Sequence, residues 1–455
     1  MNLKSKKILL SLQFIPFVLT NGMNLFPIFI FANLFLKYRD VSQYVLPLIL
    51  YYSFKTTILF LLRLKPFRMN RLLQISIIIG ILGTLLGSMY EWNFYFGLLS
   101  GALLGICSGL LYPSFLTVQF HEKNMNDFGI TPRDQIYSLG FATIFTLVLF
   151  TLVKWSIPAT FIFLGINLVL LFIIISVYPH YQIEEIASYP DYPIFETLFL
   201  FLTGFFTIFI IKIDKKLGVS GSLSLFFTLL AILIIVYLIY LLKRKPVRRL
   251  SPLLTGIIIF KGMVTNFILV FCTFNQLIQE GNTALYKIYT LYLLGIIISP
   301  LIYNALIKKV SKLRMPYLIM SGLLCGFILM LVPFLFYLGV FMISLFISQI
   351  NQRLNQFVYF HSELPQDHRL VSKYRLNNLG SILHQIIMTL IMYGITLLFK
   401  TVSLEEILKS YSYKTVDPSA FYTLEVTKSI LVLFFIIYLS VITKGYRNSK
   451  LYKTI

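Results

Sequence analysis

Acidic side chains are scarce in this 455-residue chain: 17 Asp and Glu stand against 39 Lys and Arg, and charged residues make up only 12%. Soluble globular domains carry about 25% charged residues, so a water-facing surface of the ordinary kind is excluded. Cysteine is also rare. Cys107, Cys272 and Cys325 all lie within apolar runs and make neither a disulfide framework nor a metal cluster. No H-E-x-x-H, P-loop or Cys-rich metal spacing occurs, and His121, His180, His361 and His368 fall in loops or at run ends. The sequence therefore implies no enzyme and no cofactor or metal.

What it has in quantity is apolar sequence, with 58% hydrophobic residues and a mean hydropathy of +0.83. Runs long enough to cross ~30 Å of hydrocarbon lie at 8–36, 42–62, 72–90, 94–120, 135–153, 157–178, 193–211, 221–242, 251–273, 284–307, 315–332, 334–360, 376–399 and 421–443. That predicts an all-α polytopic membrane protein with fourteen transmembrane helices. Only Pro333 and Gly339 separate the eleventh run from the twelfth. The first run follows Lys4, Lys6 and Lys7, is too long for a signal-peptide core and precedes no A-x-A-like site, so it reads as a retained span.

The net charge of +22 falls in short clusters between apolar runs, not on one amphipathic face, which fits loops at a lipid surface and not nucleic acid. With the N-terminus inside, inner segments carry 25 Lys and Arg and outer ones 11, leaving Lys55, Lys261 and Arg353 within spans. Trp92 and Trp155 fall at outer boundaries, where interfacial aromatics belong. Both termini are then cytoplasmic. Abundant Phe, Ile, Lys and Tyr point to an AT-rich bacterial genome, and hence to a bacterial plasma membrane.

The chain also repeats itself. "VQFHEKNMNDFGITPRDQIYSLG" and "VYFHSELPQDHRLVSKYRLNNLG" bring His121 and Gly140 into register with His361 and Gly380 at an offset of 240. The same offset aligns Gly22-Met23 with Gly262-Met263, and Tyr52 with Tyr292. The predicted domains are a six-helix bundle over 1–180, two inserted spans over 181–249 and a second six-helix bundle over 250–455. Both bundles start on the same side, so the repeat is parallel, as in transporters that bind substrate between two bundles near the midplane.

This 6+2+6 order resembles the fourteen-span branch of the major facilitator superfamily. "GLLSGALLGICSGLLYPSFLTV" is similar to that branch's fourth helix, "VLPLILYYSFKTTILFLL" to its second, and "LPQDHRLVSKYRLNNLGSIL" to the entry of its penultimate bundle helix. The resemblance implies two bundles that rock about a central site. "RLKPFRMNRLL" lacks the family's glycines and aspartate, "YSLGFATIFTLVLF" lacks its antiporter glycine-proline signature, and Gly101 stands where its arginine is usual. Drug–proton antiport is therefore not implied.

Buried polar groups mark function in a membrane, because burying charge in lipid is expensive. Lys261 lies about 15 Å into the ninth span, beside Gly262 and Asn266, near the limit of snorkelling. Lys55, closer to a span end, reads as a snorkelling lysine. Gln349, Gln352, Arg353 and Gln356 share one predicted helix face, which lines a cavity or packs against neighbouring helices. His384 and Gln385 lie about 12 Å into the thirteenth span, where His384 is the one candidate for proton coupling or else a histidine bonded to a neighbouring helix. No acidic residue lies deep, Glu196 and Glu425 being near span ends. Gly97, Gly101, Gly105 and Gly109 recur every four residues before Pro113, the spacing of close helix packing.

These features point to a monomeric secondary transporter in the lipid bilayer, moving a small anionic or hydroxyl-rich solute. Lys261 and Arg353 would attract its charge, and Asn266, Gln349, His384 and Gln385 would line its path. A transporter fold that acts only as a membrane partner or sensor, and a lipid-linked glycan flippase, remain the alternatives.

Overall fold

The computed structural model describes residues 11–38, 42–62, 68–126, 132–177, 193–217, 250–307, 315–362, 364–399 and 418–448, and every regular element among them is helical. Helices α1 (Phe14–Gly22) and α2 (Phe26–Lys37) lead to α3 (Leu46–Thr57), α4 (Met69–Ser88), α5 (Phe94–Asn126), α6 (Pro132–Trp155), α7 (Ile157–Ser176) and α8 (Ile194–Leu217). Next comes α9 (Pro252–Asn266), which passes through a π-helical stretch at Phe267–Cys272 into α10 (Thr273–Glu280). The order closes with α11 (Asn282–Ile307), α12 (Met315–Met330), α13 (Phe336–His361), α14 (Gln366–Phe399) and α15 (Pro418–Asn448).

Local sequence sets several of these starts. Pro27, Pro47, Pro158 and Pro252 occupy first turns, where a missing N–H costs nothing. Ser156 and Ser251 cap α7 and α9 by accepting from the amides of Ala159 and Leu254. A short 3-10 turn at Pro333–Leu335 separates α12 from α13, at the proline expected to divide the eleventh and twelfth runs.

Ten helices among the described residues are long and apolar enough to cross a bilayer, or eleven if the bent pair α1 and α2 is one span. Ile194–Ile210 and Met315–Met330 are apolar but shorter. The run expected at 221–242 lies outside the described residues.

The first run departs from expectation. A single span was predicted over 8–36, but α1 and α2 meet at a bend of 43°. Pro27 explains the break, because it has no N–H to offer the carbonyl of Met23 four residues back. Other parts of the chain supply the missing donors. The Tyr51 hydroxyl and the Ser108 hydroxyl each donate to Met23 O at 2.8 Å, and Lys55 Nζ donates to Asn24 O at 2.7 Å. Hydrocarbon offers no water to do this work.

The helices cluster into two compact units. One takes the described residues of Met1–Ile213 with Leu364–Tyr374, and the other takes those of Arg249–Glu363 with Arg375–Ile455. Within the first unit the glycine row of α5 faces α3. A Cβ on Gly101 would strike the Pro47 carbonyl, one on Gly105 would come to 2.6 Å from Tyr51 O, and one on Gly109 to 2.7 Å from Lys55 O. Gly97 has looser neighbours, Tyr90 and Pro47 at 3.5 and 3.8 Å. Pro113 sits inside α5, and one turn on Thr117 Oγ1 donates to its carbonyl.

In the second unit α9 and α14 cross by the same device. Cβ atoms on Gly262 and Gly380 would strike the carbonyls of Asn377 and Ile259, and Ser381 Oγ donates to Gly262 O at 3.3 Å. Gly140, the counterpart of Gly380 at the 240 offset, has open space at its Cβ position instead. α10 and α11 join at Gly281, whose φ of 69° favours glycine. There Glu280 Oε2 accepts from Lys287 Nζ at 2.7 Å and from the Tyr337 hydroxyl at 2.8 Å.

Two outcomes follow from this packing. Gly105→Leu must separate α5 from α3 and should destabilise the protein by about 1–3 kcal/mol, whereas Leu99→Ala on the exposed side of α5 should change the thermal midpoint little; equal midpoints for the two variants would contradict the packing. The Lys287 hydrogen bond, then that of Tyr337, hold the Glu280 carboxyl below the ordinary carboxylate range. A depressed folded-state value stabilises above the unfolded value and is lost as pH falls through the folded one. Thermal melts of wild type and Glu280→Gln should therefore differ at neutral pH and converge on acidification.

Candidate functional site

α9 carries Lys261 into the second unit, where the side chain is only 9% exposed. The close crossing of α9 and α14 at Gly262 sets its surroundings. Asn266 Nδ2 donates to Ser381 O at 2.5 Å, and the side-chain oxygens of Asn266, Asn377 and Gln385 are buried without a hydrogen-bond partner among the described residues. His384 is fully buried between aromatic rings, stacked on Phe435 at 6.1 Å and edge-on to Phe267 at 5.9 Å.

A second polar group lies where α11 meets α13. Gln349, 1% exposed, donates through Nε2 to Ser299 O at 3.3 Å. Arg353 Nη2 donates to the Tyr303 hydroxyl at 3.1 Å, and the guanidinium lies 5.3 Å from that ring. Four polar atoms remain buried with no partner among the described residues: Arg353 Nε and Nη1, Gln349 Oε1 and Ser299 Oγ. An unpaired buried donor on a charged group is costly.

The expected polar stripe on α13 is sheltered over most of its length: Gln349 is buried and Gln352 and Arg353 are half-buried, whereas Gln356 is exposed. All four share one face, and Gln356 lies furthest along it, toward the end of α13 at His361. The site residues thus fall into two groups: Lys261, Asn266, His384 and Gln385 about the α9–α14 crossing, and Gln349 with Arg353 against α11.

Lys55 also departs from expectation. Instead of snorkelling it turns its ammonium to the Asn24 carbonyl and lies 5.6 Å from the Tyr51 ring, because the broken first helix needs a donor there. Gly101, Gly105 and Gly109 of α5 face the backbone of α3. At the first turn of α14, Asp367 Oδ1 meets His121 Nε2 at 2.9 Å, both side chains buried within the first unit.

A further group was missed because it lies near an apparent span end. Lys428, counted as an outer residue, is 3% exposed, and its ammonium pairs with Glu425 one turn earlier on α15. α15 begins at Pro418, ahead of the apolar run, which carries Glu425 into the helix body. Only the i, i+3 spacing of acid and base signalled this pair in the sequence. Among the described residues no three His, Cys, Asp or Glu side chains group to hold a metal ion.

No protein-family profile matches the chain. No curated protein matches it in sequence. Solved structures do match in fold. The chain is similar to the peptide transporter POT in complex with sulfate, at 14% identity and a TM-score of 0.50 over 96% of this chain and 95% of that one. It is similar to the POT family transporter PepTSo at 13% identity and a TM-score of 0.51, over 96% and 97% of the two chains. A Major Facilitator Superfamily transporter, FucP, in the outward conformation aligns over 96% and 99% at 14% identity and a TM-score of 0.43. At these identities the likeness to the POT structures shows a shared fold: the chain has the helical membrane architecture of these transporters.

Proposed function

We propose that the protein is a secondary transporter that moves a small anionic or hydroxyl-rich solute across a bacterial plasma membrane by alternating access. The observation that carries this reading is the cluster at Arg353, where two buried guanidinium nitrogens, Gln349 Oε1 and Ser299 Oγ lack partners among the described residues. Donors and acceptors held together in that state suit a ligand with several oxygens. Lys261 adds a second buried cation, and Asn266 on α9 and Asn377 and Gln385 on α14 add buried amide oxygens without a partner among the described residues. The fold of peptide transporters supports a carrier over an enzyme.

The remaining parts of the reading go with it. Fourteen spans in a 6+2+6 order place both termini in the cytoplasm, and the monomer works through two bundles that rock about the solute. Lys261 and Arg353 attract charge in this scheme, while Asn266, Gln349 and Gln385 set specificity by hydrogen bonding.

Thermal unfolding of the purified protein tests the assignment. Dicarboxylates, sugar phosphates and free sugars are screened for a rise in midpoint, since a solute bound to the folded state alone stabilises by mass action. A hydrogen bond to a charged group contributes about 1.5–3 kcal/mol. Arg353→Ala and Lys261→Ala should therefore each weaken binding of an anionic hit about tenfold or more, while Gln356→Ala leaves it unchanged. Equal affinities across all three variants would contradict the assignment.

A further inference from the structure

The apolar length of α15 carries an acid and a base that the solute site does not use. Glu425 Oε1 accepts from Asn275 Nδ2 at 2.8 Å and from Gln279 Nε2 at 3.1 Å, both on α10. Its other oxygen, Oε2, pairs with the ammonium of Lys428. The Lys428 side chain is buried and lies 5.5 Å from the Phe336 ring. Glu425 is more open, with 28% of its side chain exposed, and it borders a groove of about 420 Å³ along α15 with Tyr422 and Ser429. Gln279, at the end of α10, is exposed. A polar path thus descends from exposed Gln279 through Glu425 to buried Lys428.

Asn275 is the informative neighbour. It is fully buried, and while its Nδ2 serves Glu425, its Oδ1 has no hydrogen-bond partner among the described residues. A carboxylate can only accept, so it has nothing to give that oxygen. A carboxylic acid can do both: accept the amide N–H and donate its own O–H to an amide oxygen. The buried amide therefore matches the protonated form of Glu425, and Lys428 matches the ionised form.

We propose that Glu425, Asn275 and Lys428 form a proton-binding site that couples proton movement to the transport cycle. The proposal rests on the transporter reading for its role, though not for its chemistry. A hydronium ion reaching Glu425 past Gln279 transfers one proton to the carboxylate and leaves as water. The new O–H turns to Asn275 Oδ1, and the ion pair is lost. Lys428 then stays cationic in an apolar setting with the Phe336 ring as its neighbour, a costly state that favours rearrangement of α15 against α10. Loss of the proton restores the pair.

The other groups near the pair are few. The elements packed on α15 are α9, α10 and α12, and α13 and α14 also touch it through the rings of Phe336, His384 and Phe399. The titratable and charged residues on these faces are Lys261 on α9, Glu280 on α10, Tyr317 and Cys325 on α12, Tyr337 beside Phe336 on α13, and His384 on α14. Glu280 is engaged by Lys287 and Tyr337.

Infrared difference spectroscopy of the full chain in lipid vesicles tests the site with protons alone. On acidification from about pH 8 to about pH 4, the range that spans the ordinary carboxyl values, wild type should gain a carboxylic-acid C=O band that Glu425→Gln lacks. Lys428→Met, whose carboxylate has no cation to hold it ionised, should gain that band about one pH unit or more earlier. Identical spectra for wild type and Glu425→Gln overturn the proposal, as does an unmoved midpoint in Lys428→Met should the glutamine variant not fold. Coupling is then read with any solute that passes the binding screen: Glu425→Gln should keep solute exchange and lose accumulation driven by a pH gradient. Loss or retention of both together would deny Glu425 a coupling role. If no solute binds, the transporter reading fails while the titration still decides the proton site.

Discussion

A polar group inside hydrocarbon has no water to fall back on, and that constraint organises this chain from its backbone outward. The break at Pro27 shows it in one place. Removing a single N–H frees a carbonyl, and the answer comes from two other helices through Tyr51, Ser108 and Lys55. Three polar side chains on α3 and α5 are thereby committed to the first helix. The glycine row that brings α5 against α3 makes this reach possible, since a Cβ at Gly105 would collide with the Tyr51 carbonyl. Packing and hydrogen bonding are one solution to one problem.

The same constraint gives meaning to what is left unpaired. A chain that satisfies the Met23 carbonyl twice over, yet leaves Arg353 with two buried N–H groups unpartnered among the described residues, is making a distinction. The first is repair of structure, and the second is the feature on which the proposed solute site rests. Glu425 and Asn275 present a subtler case, where the ionised acid satisfies part of its surroundings and the neutral acid would satisfy the rest. Lys261 lies between these extremes, buried beside a close crossing of α9 and α14 where amide oxygens remain open.

Much of the fold was legible because apolar runs and prolines act locally. Pro333 divides α12 from α13 as its position suggested, and the serine caps sit at helix starts. The glycine spacing on α5 suggested close packing, and Gly101, Gly105 and Gly109 face α3, a partner that spacing alone does not name. What escaped depended on partners distant in the chain. Lys55 looks like a snorkelling lysine until Asn24, 31 residues away, is placed beside it. Glu425 lies 150 residues from Asn275, so its neighbourhood had no local signature, and a helix beginning at Pro418 moved it inward. Gln356 was grouped with Gln349 by periodicity alone and turned out exposed, because periodicity fixes an angle but not which neighbour lies along it.

The repeat at an offset of 240 matters for the same reason. Gly380 is packed hard against the Ile259 carbonyl while its counterpart Gly140 is open, so equal residues sit in unequal surroundings. The central claim is that this asymmetric, acid-poor interior carries a solute. Flux into vesicles containing the full chain tests it most directly, using labelled anionic and polyhydroxyl solutes against protein-free vesicles. The account predicts saturable uptake of at least one such solute and competition by its unlabelled form; flux equal to that of empty vesicles for both classes would contradict it.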